Sequence, residues 1–476
     1  MTALVGLDVG TTGVKALAVS PDGEVLARAE EGYPLATPRP GWAEQDPEDW
    51  WRAAETALAG LGVGDVAGIG LSGQMHGLVV LDGNERVLRP AILWNDQRTA
   101  AECAEIEERI GLARLVELTG NRALPGFTAP KLLWLRKHEP GVYGRIEHVL
   151  LPKDYVRLRL TGERATDVAD ASGTLLFDVA ARRWSEQIVE DLELRPEILP
   201  RAFESPEVSA EKDGVSVAAG AGDQAAGALG VGVVGPGPLS VVLGTSGVVF
   251  AALPGFAADP EARVHAFCHA VPGGWHAMGV MLSAAGSLRW FRDTFAPGER
   301  YEVLVAEAER WGPGAEGLVF LPYLGGERTP HADPGARGAF VGLSLRHDRG
   351  ALVRAVLEGV AYGLRDSLEL LRGLGVGPEV GRISGGGARS ELWVRIVASV
   401  LGLPLERTAV EEGAAYGAAL LGGVAGGVFA DVREAVAACV RVGEAVQPDA
   451  EWEKIYAAGY ERFRALYPAL RPLEDA

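Results

Sequence analysis

The chain has 476 residues, enough for two domains or one large split domain at roughly 100–200 residues each. Hydrophobic residues make up 48% and charged residues 23%, ordinary for a globular protein with a sizeable core. A formal net charge of −19 argues against a nucleic-acid binder and means that an anionic ligand needs local help from backbone N–H groups, helix ends or a metal.

The first thirty residues read as a strand meander. Residues 4–9 and 15–20 are apolar runs, "PDGE" at 21–24 is a turn, and 24–29 returns as a third strand. "GWAEQDPEDWW" then contains a helix start, with Asp46 as cap, Pro47 at the first helical position, and Glu48 and Asp49 at the positive end. A buried strand at 66–71 leads into "SGQMHG" at 72–77, followed by a strand at 78–81 and a "DGN" turn. Helical patterns dominate from about 97 to 136.

"GAGDQAAGALG" at 220–230 sets one carboxylate, Asp223, among Gly, Ala and Gln. The bland reading is a cap on a helix beginning at Gln224; the functional one is a carboxylate with space kept clear around it, and a helix N-terminus serves both. Gly-Pro-Gly-Pro at 235–238 marks a boundary. Beyond it, a strand at 239–243, "GTSG" at 244–247 and a strand at 248–252 repeat the N-terminal strand, "GTTG" at 10–13, strand pattern 234 residues earlier, which suggests two related halves. Further on, Leu352, Val356, Val360 and Leu364 mark a buried helix over 351–365. Ile383 and Ser384 lead into "GGGARSELW", a strand end, glycine loop and helix start.

A Gly-Thr turn after a buried strand offers backbone N–H groups and hydroxyls to phosphate oxygens. Either turn alone reads as a tight hairpin; two together, with Asp8 before the first, point to a polyphosphate clamp. No Lys precedes a Ser or Thr, so there is no Walker A loop, and "GVGVVG" at 230–235 runs into Pro236 and a strand rather than a helix. The protein-kinase set is absent. Gly385, Gly386 and Gly387 would let a flat ring lie against the backbone. Asp8 and Asp223 form an acid pair suited to accepting an alcohol proton and handling Mg²⁺. Gln74, Met75 and His76 could shape a small polar pocket, or form a connecting loop with a solvated His. "LWNDQR" at 93–98 clusters sugar-binding residue types, or starts a helix capped by Asn95 or Asp96. His265, Cys268, His269 and His276 offer zinc ligand types, but the alternation of "VHAFCHAV" sets His265 and Cys268 on opposite faces. Three separated cysteines suggest no disulfide framework, "MTALVGLDVG" lacks a signal-peptide pattern, and no apolar run is long enough to span a bilayer, so a cytoplasmic protein is expected.

In their order along the chain these blocks resemble the FGGY carbohydrate kinases. "GLDVGTTGVKALAVS" looks like the opening phosphate hairpin, "GFTAPKLLWLRKH" the first family signature, "GDQAAGALG" the catalytic Asp block, "GTSG" the second phosphate turn and "GGGARS" the adenosine loop. "GIGLSGQMHGLVVLD", "LPKDYVRLRLTG" and "TDVADASGTLLFD" resemble blocks of the branch that acts on xylulose. The second signature departs from the family at Ala351, where a polar residue is usual, which puts a helix cap in question. The resemblance implies an α/β, two-domain, actin-like (ribonuclease H-like) ATPase fold with a central cleft. Residues 1–235 would carry the sugar side and 236–476 the nucleotide side. It implies ATP and Mg²⁺, transfer to O5 of D-xylulose, Asp223 as general base and Asp8 as the acid for Mg-ATP. Met75 and His76 would contact the sugar. Thr11, Thr12 and Lys15 fall in the first phosphate turn, Gly244, Thr245 and Ser246 in the second, and Gly385 to Gly387 beside the adenosine. Family precedent implies a homodimer. Rival expectations are a sister kinase for D-ribulose, L-ribulose or a polyol, a non-catalytic sugar or nucleotide sensor, and an actin-like filament protein.

Overall fold

Two sheets of the same plan are built in succession. The computed structural model describes residues 2–410 and 412–474. The first sheet uses β1 (Ala3–Val9), β2 (Gly13–Val19), β3 (Val25–Gly32), β4 (Val66–Gly73), β5 (Val208–Lys212) and β6 (Val215–Ala218) in the order β5-β6-β4-β1-β2-β3. β1, β2 and β3 run antiparallel, while β1–β4 and β4–β6 are parallel. The short segment Ala221–Gly222 also pairs with β4. The second sheet uses β7 (Pro238–Leu243), β8 (Gly247–Leu253), β9 (His265–Cys268), β10 (Trp275–Met281), β11 (Val380–Ser384) and β12 (Leu405–Arg407) in the order β9-β10-β8-β7-β11-β12. Again an antiparallel meander, β7–β8–β10, is flanked by two parallel strands. "GTTG" and "GTSG" occupy the same place in each unit, between the first two strands, so the short repeat is the trace of a repeated topology.

The helices that matter for the site are α1 (Pro47–Gly60), α2 (Asp223–Gly230), α3 (Ala285–Phe295), α4 (Tyr301–Glu309), α5 (Arg349–Gly373), α6 (Glu391–Leu401) and α7 (Gly413–Ala425). The α1 start is as predicted: Asp46 accepts from the Glu48 N–H at 3.0 Å, and Trp50, Ala53, Ala54 and Ala57 are buried. At α5 the cap left in question by Ala351 comes from Asp348, which accepts the Ala351 N–H at 3.0 Å. Ser390 caps α6 through the Trp393 N–H at 3.2 Å. The α2 start corrects the bland reading: Gly222 is the cap residue, no side chain caps, and Asp223 is the first helical residue.

Late in the chain, α7 returns to the first sheet and packs on β1, β4 and α2. The contact is backbone to backbone. A Cβ on Gly70 would lie 1.8 Å from the Ala418 carbonyl oxygen, and one on Gly417 would lie 1.9 Å from that of Ala226. Only glycine permits this approach, which is why "GIGLSG", "GDQAAGALG" and "GAAYGAALLGG" share a small-residue composition. No helix among the described residues is long and apolar enough to cross a membrane.

Candidate active site

The carboxylate pair is assembled by strand register. Asp8 on β1 stands opposite Ser72 on β4, and Ser72 stands opposite Ala221. Two strand spacings thus separate Asp8 from the segment entering Asp223, about 10 Å. Both aspartates are half-buried. Burial and the nearby Asp8 charge push the Asp223 carboxyl up to about 7, against a smaller pull from the Gln224 side chain and N–H. Burial also raises Asp8, while the Ser72 hydroxyl and the Lys15 ammonium pull the other way; Lys15 faces Asp8 across the β1–β2 ladder. Asp8 Oδ1 is buried with no hydrogen-bond partner. A hard cation takes one or two carboxylates with phosphate oxygens and waters, so an orphaned carboxylate oxygen beside a second acid fits Mg²⁺.

Met75 and His76 lie where β4 ends. Met75 is buried and fills the space that a side chain on residue 222 would need: a Cβ on Gly222 would meet Met75 Cγ at 2.7 Å. The glycine before Asp223 therefore lets Met75 form the wall beside the acid. His76 is buried, not solvated, with φ 69°. Its Nδ1 lies 2.6 Å from the Gly173 carbonyl oxygen. A carbonyl only accepts, so Nδ1 carries the proton and Nε2 is left as an acceptor. Burial pushes this imidazole down to about 3, keeping it neutral. The His76 carbonyl is held by Lys131 Nζ at 2.8 Å and Thr128 Oγ1 at 3.1 Å. The "GFTAPKLLWLRKH" block thus works as the support of the His76 loop.

The "LWNDQR" residues are mostly engaged elsewhere. Asp96 accepts from the Ala43 and Arg98 backbone N–H groups and pairs with the Arg98 guanidinium, which also pairs with Glu44 at 2.7 Å and lies 3.5 Å from the Trp42 ring centre. Neither Asn95 nor Asp96 caps the following helix, which begins at Ala100 after Thr99. Trp94 donates to Thr11 Oγ1 at 3.0 Å, and Asn95 Oδ1 is buried without a partner.

A second group of the expected residues gathers on the other half. Gly244, Thr245, Gly386 and Gly387 line a cleft of about 650 Å³, within the usual range for small-molecule sites. Ser246 follows in the same turn. Gly385 has φ 91° and abuts Leu243, where a Cβ would lie 2.8 Å from that residue's carbonyl. The sequence reading missed the opposite wall: Ala285, Gly286, Leu288 and Arg289 of α3, and Tyr301, Glu302 and Val305 of α4. These helices are far in sequence from both glycine loops and carry no phosphate-type pattern of their own.

The histidine–cysteine cluster is used inside the protein. His265 Nδ1 bonds Asn121 Oδ1 at 2.7 Å, His269 Nε2 donates to the Val233 carbonyl at 3.1 Å, and Cys268 Sγ lies 3.4 Å from the Val179 carbonyl. Among the described residues no group of three or more His, Cys, Asp or Glu is gathered as a metal site.

A pair of half-buried aspartates, two Gly-Thr turns and two sheets that share a run of five strands, two parallel pairings followed by an antiparallel meander, suit a phosphoryl-transfer protein. Models for the N- and C-terminal domains of the FGGY family of carbohydrate kinases match residues 3–230 and 239–426. The chain belongs to that family, and its substrates are accordingly a small carbohydrate and ATP. It is 44% identical to the xylulose kinase of Escherichia coli K12 over 98% of this chain and 99% of that one. A "xyloylose kinase" from Brucella ovis superposes with a TM-score of 0.93 at 42% identity, covering 99% of this chain and 100% of that one. A gluconate kinase from Lactobacillus acidophilus has a TM-score of 0.94 at 26% identity over 98% of each chain, so the fold by itself does not choose the sugar.

Proposed function

We propose that this chain is an ATP-dependent kinase that phosphorylates D-xylulose on O5. The observation that carries the chemistry is Asp223: a half-buried carboxylate, raised to about 7, beside Asp8 and walled by Met75. A base with that pKa is poised to take an alcohol proton near neutrality. The O5 oxygen attacks the γ-phosphorus, its proton passes to Asp223, and the bond to ADP breaks. Lys15 and the N–H groups of the two Gly-Thr turns face the charge on the transferring group. Asp8, with its unpartnered Oδ1, is the residue that would hold Mg²⁺ with the phosphates. The ion supplies neutralisation of phosphate charge when bound.

His76 Nε2, an acceptor, reads a sugar hydroxyl that donates to it, and Met75 excludes bulk beside the reacting carbon. The division of labour is residues 1–235 for sugar and catalytic base, and 236–476 for nucleotide. The adenosine lies in the cleft between Gly385–Gly387 and the α3–α4 wall. The identity with xylulose kinases over the full chain selects the ketose.

The test is kcat/KM measured over D-xylulose, D-ribulose, L-ribulose, D-gluconate and a polyol by coupled ADP release. D-Xylulose is expected to be the best substrate. A higher kcat/KM on any other member of the panel overturns the assignment.

A further inference from the structure

We propose that Gln45 and Gln74, assisted by Trp94, are positioning residues that aim the first phosphate turn; the inference rests on the kinase reading above. Gln74 Nε2 donates to the Gly10 carbonyl at 3.2 Å, and Gln45 Nε2 donates to the Thr11 carbonyl at 2.8 Å. The two amides are tied together, Gln74 Nε2 to Gln45 Oε1 at 3.1 Å, and Trp50 Nε1 donates to the same oxygen at 3.0 Å. Gln45 is 2% exposed, Gln74 1% and Trp50 0%, so the framework is fixed.

In a trans peptide the N–H points opposite to the C=O. Holding the Gly10 and Thr11 carbonyls against the protein therefore turns the Thr11 and Thr12 N–H groups the other way. Neither N–H has a hydrogen-bond partner among the described residues. Trp94 occupies a lone pair of Thr11 Oγ1, which leaves that hydroxyl's proton free to donate. A carbonyl facing a phosphate would repel it, so the orientation decides whether the turn binds or rejects the anion.

The second half reaches the same end by other means. The equivalent carbonyls, Gly244 and Thr245, accept from the backbone N–H groups of Ala285 at 2.7 Å and of Ala284 and Gly286 at 2.9 and 3.1 Å. The Thr245 and Ser246 N–H groups are likewise without partners among the described residues. The same two carbonyls are tied back in both repeats, by side chains in one and by a helix start in the other. Gln74 also immediately precedes Met75 and His76, so the sugar loop and the phosphate turn share one anchor.

The test compares wild type with Gln45→Met, Gln74→Met and Trp94→Phe. ATP affinity is measured by calorimetry without sugar; kcat and both KM values are measured with the best sugar of the panel. Each Gln variant is expected to weaken ATP binding about tenfold and lower kcat by a similar factor, the effect of losing a buried hydrogen bond or two, while sugar KM moves less than about threefold. Gln45→Met and Gln74→Met combined should fall short of the product of their separate effects, because they share one hydrogen bond. Trp94→Phe removes a single donor and should weaken ATP binding about threefold; it also serves if a Gln variant does not fold. Unchanged ATP affinity in folded variants, or equal losses for both substrates that follow Tm, overturns the inference. Wild type that binds ATP but phosphorylates no sugar of the panel defeats the kinase reading while leaving the ATP-affinity comparison readable.

Discussion

Asp223 keeps its proton to higher pH than an exposed aspartate because folding takes it out of water and sets Asp8 nearby. The proposed base must be ionised to take the proton, so kcat/KM should rise with pH and level off above about 7 in a rate profile. His76 is neutral throughout that window, its imidazole being pushed down to about 3, and adds no limb of its own. A profile flat from pH 5 to 8 would contradict this account of Asp223. The same shift has a stability consequence of definite sign. The unfolded aspartate ionises near 3.8 and the folded one near 7, so this residue's contribution to stability falls as pH rises between those values. Asp223→Asn removes the cost. It should raise Tm at pH 8, by about 2–4 °C per kcal/mol recovered, with no gain below pH 4. Equal melting curves for variant and wild type at pH 8 would show that the carboxylate is not strained in the fold.

At the scale of elements, the support of the His76 loop lies in a buried charge network. Lys153 Nζ lies 2.6 Å from Asp154, 2.7 Å from Asp167 and 3.2 Å from Asp170, all with side chains 0% exposed. Asp167 caps the short helix Val168–Ala171, which leads to Gly173, the residue whose carbonyl fixes the His76 tautomer. Burial and its neighbours hold Asp170 well above the usual carboxylate range, despite Lys153. Lys153→Met should therefore destabilise by about 3–5 kcal/mol, as expected for an orphaned buried charge, whereas Asp170→Asn should leave Tm at pH 7 within a few degrees. Denaturant unfolding of both variants checks the contrast; a greater loss from Asp170→Asn than from Lys153→Met would contradict it. The "LPKDYVRLRLTG" and "TDVADASGTLLFD" blocks are legible in sequence as a resemblance, yet their work is structural and emerges only when their side chains are seen to meet. Strands and Gly-Thr turns were legible because apolar runs broken by Gly and Thr act locally. The burial of His76 was not, since it depends on Phe127 at 4.6 Å and Gly173, both distant in sequence.

For the whole molecule, the repeat of "GTTG" in "GTSG" foretold two similar units, and the two sheets share five strands in the same order of parallel and antiparallel pairing, the sixth strand lying at opposite edges. The cleft wall from α3 and α4 was not foretold, because a cleft is a property of elements brought together and leaves no local pattern. The return of α7 to the first sheet was hidden for a similar reason: its glycines report a close approach without naming the partner. Gly417→Val should part α7 from α2, lower stability by several kcal/mol as an overpacked contact does, and disturb the helix that carries Asp223. The most direct measurement of the central claim is single-turnover phosphoryl transfer from ATP to D-xylulose by Asp223→Asn, with sugar binding measured alongside by calorimetry. The account predicts transfer slowed by about two orders of magnitude or more with sugar affinity kept within about threefold. Transfer at a near-normal rate in that variant would contradict it.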